Sequence, residues 1–389
     1  MPSKEKKTRA LLLCAVSLLI FFLGVEAGGF QLALLRIAVE FKLDSVAMGR
    51  LAAAQFVPII LTPLLIGGLS DRIGKRRVLI IFATVFIAGC LITSASGSAA
   101  VFALGIVVVG AGYSICESVS SALLSDVFDS NAEKYMNIAQ GCFSMGAVIG
   151  PLAASFFISR CVLGWRMLFL ACALGYILLI PLLLAVRVRG NRQAYSGRLP
   201  VRKLFSPIFS LLFLSILLYV GMENGLAFFL DSLFTHRLGA SELSAAAISI
   251  FWLFMAISRF CFGMARRVSP WILTACFGAS ALFLTVLGLA LRADLALLCC
   301  AVLGALCGPV WPSLVAMCAQ EHPAHTGQAT GMMSAGCGVG GVASPVLMGW
   351  LMNRASIGEA FVSLAALAVC GGVLVALSRR ARRNAQPRI

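Results

Sequence analysis

Residues 218–229 read LYVGMENGLAFF, and residues 21–30 read FFLGVEAGGF. Each stretch sets one glutamate between two glycines in a run that is otherwise apolar. Glu26 and Glu223 therefore belong to segments whose other side chains exclude water. The two copies stand about 195 residues apart, half the length of a 389-residue chain, as a duplication would leave them.

Outward from these stretches, apolar runs longer than about 18 residues recur from end to end, and each predicts a membrane-spanning helix. Twelve are expected, near residues 11–37, 46–68, 77–94, 100–125, 135–158, 165–186, 208–234, 243–265, 271–291, 295–318, 327–352 and 358–378. The fold class is thus an all-α membrane protein. The chain is 60% hydrophobic, against about 45–50% for a soluble domain. Its mean hydropathy is +0.99. The opening KEKKTRALLLCAVSLLIFFLG has no small-x-small cleavage site and is expected to stay as the first helix.

The net charge of +16 is placed by topology. Its clusters, Lys4–Arg9, Arg72–Arg77, Arg187–Lys203 and Arg379–Arg388, all fall on the side that holds both termini, so the positive-inside rule puts the termini in the cytoplasm. The basic charge comes without aromatic interleaving or a nucleic-acid-binding signature, which excludes nucleic acid as the expected partner. The bilayer is the expected one. Most of the fourteen cysteines lie in the helices without a C-x-x-C pair and act as small apolar residues. Neither a disulfide framework nor a metal site is expected. His236, His322 and His325 fall in loops or at helix ends, and no nucleophile–base pair or phosphate loop is visible, so the chain is not expected to be an enzyme or to carry a cofactor.

Residues 187–206, RVRGNRQAYSGRLPVRKLFS, form the longest polar break and read as a cytoplasmic linker between six-helix halves at 1–186 and 207–389. The halves match in phase. Gly24-Val-Glu26-Ala-Gly28 lies over Gly221-Met-Glu223-Asn-Gly225, Gly68 and Arg72 over Gly263 and Arg267, Glu117 over Trp311, and Pro151 over Pro345. Two parallel six-helix halves resemble the plan of the major facilitator superfamily, which binds solute near the midplane between repeats. GLSDRIGKRR at 68–77 is similar to that family's loop between helices 2 and 3. The resemblance implies a conformational latch built from Gly68, Asp71, Arg72, Gly74 and Arg76.

Three acids lie near the middle of a span: Glu26, Glu117 and Glu223. A charged side chain there costs about 2.5–3.5 kcal/mol on insertion scales. No Lys or Arg is expected at their depth, Arg259 being placed near the cytoplasmic end of its helix. A carboxyl that is neutral when sealed and ionised when wetted carries a proton, so these three are the candidate coupling groups. Tyr113, Glu117 and Ser121 step by four along one helix face. Gln31 and Asn224 add polar groups at similar depth. Pro309 and Pro312 bracket Trp311 in GPVWPS and should interrupt that helix, as at transporter binding sites. Glu117, Tyr113, Ser121, Gln31, Asn224 and Trp311 are the candidate solute contacts.

Tyr219-Val-Gly-Met-Glu223, GYSICESVSSAL at 112–123 and the block from GPVWPS through SPVLMGWL further resemble the fucose-permease-like branch of proton-linked sugar carriers. That resemblance implies a monomeric secondary transporter in a bacterial cytoplasmic membrane, working by alternating access. It would couple protons to uptake of a small neutral polar solute such as a sugar. Where that branch has an asparagine the chain has Ser121. The alternative expectation is proton-coupled efflux of cationic or amphipathic drugs, which three acids and an apolar wall would suit.

Overall fold

The computed structural model describes residues 2–62, 74–128, 132–185, 200–263, 269–322 and 326–385. These residues form twelve helices long and apolar enough to cross a membrane. They are α1 (Pro2–Glu40), α2 (Ser45–Ala54, continuing as a span to Thr62), α3 (Lys75–Ser94), α4 (Ala99–Phe128), α5 (Ala132–Arg160) and α6 (Arg166–Ala185), then α7 (Pro207–Ser232), α8 (Ser244–Gly263), α9 (Pro270–Leu289), α10 (Ala293–Cys307 and Val310–Glu321), α11 (Thr326–Arg354) and α12 (Ile357–Ala385). An even number of crossings puts both termini at one face of the bundle. The opposite face is called the far face below.

Local chemistry sets the helix ends. Asp44 accepts the Ala47 amide at 2.7 Å and caps α2. Ser206 accepts the Phe209 amide at 3.1 Å, with Pro207 at the first helical position of α7. Both devices satisfy amides that the helix itself leaves unpaired. α10 is interrupted at Gly308-Pro309, where proline supplies no amide proton and the ladder breaks.

The paired glycines of the opening motif form a seam. A Cβ on Gly24 would lie 2.0 Å from the Phe143 carbonyl oxygen, and one on Gly28 would lie 2.4 Å from that of Ala147. From the other side, Gly146 and Gly150 meet the carbonyls of Phe21 and Val25. Thus α1 and α5 touch backbone to backbone, as small residues allow in a bilayer, where apolar burial alone does not drive helices together. The second half repeats the arrangement, with Gly340 of α11 against the Leu217 carbonyl of α7. Ser344 stands where the first half has Gly150, and the fit there is uneven: a Cβ on Gly221 would meet its nearest atom at 3.4 Å, whereas one on Gly225 would meet Ser344 Oγ at 2.4 Å. Gly110 on the Gln55 carbonyl and Gly304 on the Phe251 carbonyl, both at 2.1 Å, form another repeated pair, α4 on α2 and α10 on α8.

The repeat extends to charges with reversed sign. Near the far face, Glu40 at the end of α1 pairs with Arg166 at the start of α6 at 2.6 Å. At the matching ends of α7 and α12 stand Arg237 and Glu359, with the Arg237 guanidinium against Gly358.

The halves join through α2 with α11, α5 with α8, and α1 with α7 and α8. Toward the far face, Gly49 and Gly349 approach so closely that a Cβ on either would meet backbone at 2.2 Å. There Phe228 of α7 sits edge-on to both Phe30 and Phe56. Among the described residues, α4 packs less closely on α10 and α11 than those helix pairs do on each other. Among the described residues the halves therefore meet closely toward the far face and less closely between α4 and the α10–α11 pair.

Candidate functional site

With the α1 glycines turned onto α5, Glu26 faces α2. It is fully buried, and one of its oxygens accepts from Gln55 Nε2 at 2.8 Å. The other oxygen has no hydrogen-bond partner. Glu223 is also buried. Tyr219, one turn earlier on α7, lies against it while donating its hydroxyl to the Cys307 carbonyl at 3.0 Å, beside the break in α10. The motif thus divides its labour in both halves: glycines on the packed side, acid on the other.

Glu117 differs in exposure. It is half-buried, as are Tyr113, Ser121 and Gln140 around it. Gln140 Nε2 of α5 approaches a Glu117 oxygen at 3.4 Å. The Tyr113 hydroxyl lies within electrostatic reach of Glu117, Glu26, Glu223 and Arg259. Trp311 donates its indole N–H to Cys337 Sγ at 3.4 Å, and Cys337 is within electrostatic reach of Glu117 and Glu223. The structure therefore brings Tyr113, Glu117, Glu223 and Trp311 together. Asn224 is half-buried and bonds its own helix at Val220 O. Gln31 is placed differently: its side chain accepts the indole N–H of Trp252 at 2.8 Å, in the contact between the halves.

The expectation that the acids have no cation at their depth is corrected by Arg259. Its helix neighbours lie at the depth of the α10 break, where a Cβ on Gly308 would stand 2.7 Å from Ser258 Cβ, and one guanidinium nitrogen of Arg259 donates to Ser144 Oγ of α5 at 2.9 Å. From there its charge acts on both Glu117 and Glu223. Counting residues to the end of the apolar run put Arg259 at the terminal face, whereas its neighbour Ser258 donates to the Ala305 carbonyl just before the break in α10.

Of the latch residues, Gly68, Asp71 and Arg72 lie outside the described residues. Gly74 has φ +95°, a conformation that glycine adopts freely, and it precedes α3. Arg76 donates to the carbonyls of Leu183, at 3.0 Å, and Leu184 at the end of α6. This contact stays within the first half. Among the described residues, no group of three or more His, Cys, Asp or Glu is placed to hold a metal ion.

Comparison with known proteins fits this architecture. A family model described as the Major Facilitator Superfamily matches residues 15–295 and 264–389. The chain belongs to the major facilitator superfamily. Within it, the chain is 29% identical over 180 residues to the glucose transporter GlcP of Staphylococcus epidermidis, covering 46% of this chain and 39% of that protein. It is 30% identical over 132 residues to the multidrug resistance protein MdtM of Escherichia coli, covering 33% and 32%. The matched stretches thus span well under half the length of either relative. Among solved structures, the Escherichia coli fucose:proton symporter FucP superposes with a TM-score of 0.72 at 14% identity, covering 95% of this chain and 99% of that one. A bacterial homolog of the human lysosomal transporter Spinster, in an inward-facing and unoccupied conformation, superposes at 0.77 with 13% identity, covering 98% and 99%. These likenesses establish the fold. As a superfamily member with twelve apolar helices, the chain is a multi-pass membrane transporter and not an enzyme.

Proposed function

We infer that this transporter couples protons to uptake of a small polar solute of the sugar type, by alternating access in a bacterial cytoplasmic membrane, as a monomer with both termini inside. Glu117 is the coupling group, supported by Glu26 and Glu223. Tyr113, Ser121, Asn224 and Trp311 complete the solute site, while Gln31 serves the contact between the halves through Trp252. Gly68, Asp71, Arg72, Gly74 and Arg76 act as the latch. The observation that carries this reading is the difference in exposure among the acids. Glu26 and Glu223 are buried, whereas Glu117 is partly buried on α4, which among the described residues packs less closely on α10 and α11. A carboxyl in that position exchanges its proton when the bundle is open there and is sealed when it closes. The sugar and proton named for GlcP and FucP support the same class.

A second reading, proton-coupled efflux of cationic or amphipathic drugs, is favoured by the three acids set against one arginine and by the match to MdtM. A thermal-shift screen of the purified transporter separates the two, because a bound ligand raises the melting temperature by mass action. Shifts with sugars or related polyols, followed by solute-dependent proton entry into proteoliposomes, support uptake. Shifts confined to organic cations replace it with efflux. Solute uptake indifferent to a pH gradient removes the proton from either account.

A further inference from the structure

Gln140 and Ser144 lie one turn apart on α5. Gln140 holds Glu117, and Ser144 Oγ accepts from Arg259. Neighbours at that spacing on a helix stand about 5–6 Å apart. The guanidinium of α8, in the second half, is thus set about one turn from the carboxyl of α4, in the first. Among the described residues, however, Arg259 makes no ion pair with a carboxylate. A guanidinium has five N–H donors in a planar fork and keeps its charge at any pH the protein meets. Here it is half-buried and hydrogen-bonded to one serine hydroxyl of the opposite half. A charge brought that far into the bundle, with most of its donors unused, fits a partner that arrives from outside.

We propose that Arg259 anchors an anionic group on the transported solute, and that the solute is a hydroxylated carboxylate of sugar-acid size, its polar groups reaching Tyr113, Ser121 and Asn224 and its apolar face reaching Trp311. The proposal rests on the uptake reading above and narrows it. One fork matches one carboxylate in bidentate geometry. A phosphate dianion would need a second cation close by, and none acts on the Glu117–Glu223 pair besides Arg259 among the described residues. A neutral sugar would leave the guanidinium unpaired, and an organic cation would be repelled by it. The acids give the arrangement a direction. An anion beside Glu117 and Glu223 is tolerated only while those carboxyls hold protons, so solute and proton are bound together and released together.

Matched solutes test this. Purified wild-type protein and the variants Arg259→Gln and Arg259→Lys are titrated with glucuronate against glucose, and with gluconate against glucitol. Binding is read by thermal shift and by tryptophan fluorescence, and size-exclusion profiles establish that each variant is folded. The expected result is that the acid of at least one pair binds about tenfold more tightly than its neutral partner, that Arg259→Gln abolishes the preference, and that Arg259→Lys keeps part of it. Equal or tighter binding of the neutral partners, or a preference that survives Arg259→Gln, overturns the proposal and leaves the uptake reading standing. Binding of organic cations alone overturns both. If Arg259→Gln does not fold, the wild type and Arg259→Lys decide: no preference for the acid in the wild type, or an undiminished preference in Arg259→Lys, refutes the proposal, and a preference that Arg259→Lys reduces supports it.

Discussion

Trp252 donates its indole N–H to the side-chain oxygen of Gln31 at 2.8 Å, joining α8 of the second half to α1 of the first. Their counterparts in the repeat, Phe56 and Phe228, also meet across the halves, ring against ring at 6.1 Å. One contact has thus been inherited twice, once as a hydrogen bond and once as an aromatic pair. Together with the Gly49–Gly349 approach they bring the halves close toward the far face.

A buried hydrogen bond contributes about 1 kcal/mol net, and that difference shifts a two-state balance about fivefold. Trp252→Phe keeps most of the ring and removes the donor. Spin labels at Lys42→Cys and Arg354→Cys in a cysteine-depleted background report the far-face separation. The expected outcome is a larger population at long distance in Trp252→Phe than in the parent. An unchanged distribution means that the bond does not hold the far face shut.

The two glycine seams predict unequal tolerance. Gly24→Ala drives a methyl into the Phe143 carbonyl, and only a shift of α1 against α5 relieves it. Gly221→Ala finds its nearest atom at 3.4 Å and fits with little movement. Overpacking of this kind costs about 1–3 kcal/mol. Melting temperatures in detergent should fall by several degrees for Gly24→Ala and stay close to the parent for Gly221→Ala. Equal losses would show that the two halves are packed alike after all.

Arg76 closes the terminal end of α6 by donating to its last carbonyls. A cation there also complements the negative end of the helix. Arg76→Gln should therefore lower the melting temperature by a few degrees while leaving ligand affinity within about twofold, since the contact lies within one half. A large loss of affinity at unchanged melting temperature would place Arg76 in the binding site instead.

The duplication and the acids were legible in the sequence because each is a local pattern: GxExG recurs in phase, and a carboxylate among Phe and Leu stands out without a partner in view. The partners were not legible. Gln31 and Trp252 are 221 residues apart, and nothing in either stretch names the other. Their meeting depends on how the halves dock. Arg259 was visible in FWLFMAISRFCFG, but depth counted along the backbone placed it at the terminal face. The packing of α8 on α5 and α10 sets it deeper, with Phe260 against Gly141 and Ser258 against Gly308. Exposure was hidden for the same reason. Glu26 and Glu117 look alike as acids in apolar helices, yet one is enclosed with Gln55 and the other is partly buried.

The central claim is that Glu117 carries the coupling proton, and Glu117→Gln tests it most directly. Glutamine keeps the size and the hydrogen bonding to Gln140 but cannot titrate. Uptake of the ligand found by the thermal screen is measured in proteoliposomes, with and without an imposed pH gradient, alongside solute exchange at equal pH. The account predicts that Glu117→Gln loses accumulation against the gradient while still exchanging solute, and that Glu26→Gln, at a position enclosed with Gln55, is affected less. Accumulation by Glu117→Gln at the parent's dependence on the pH gradient would contradict the account and pass the role to Glu26 or Glu223.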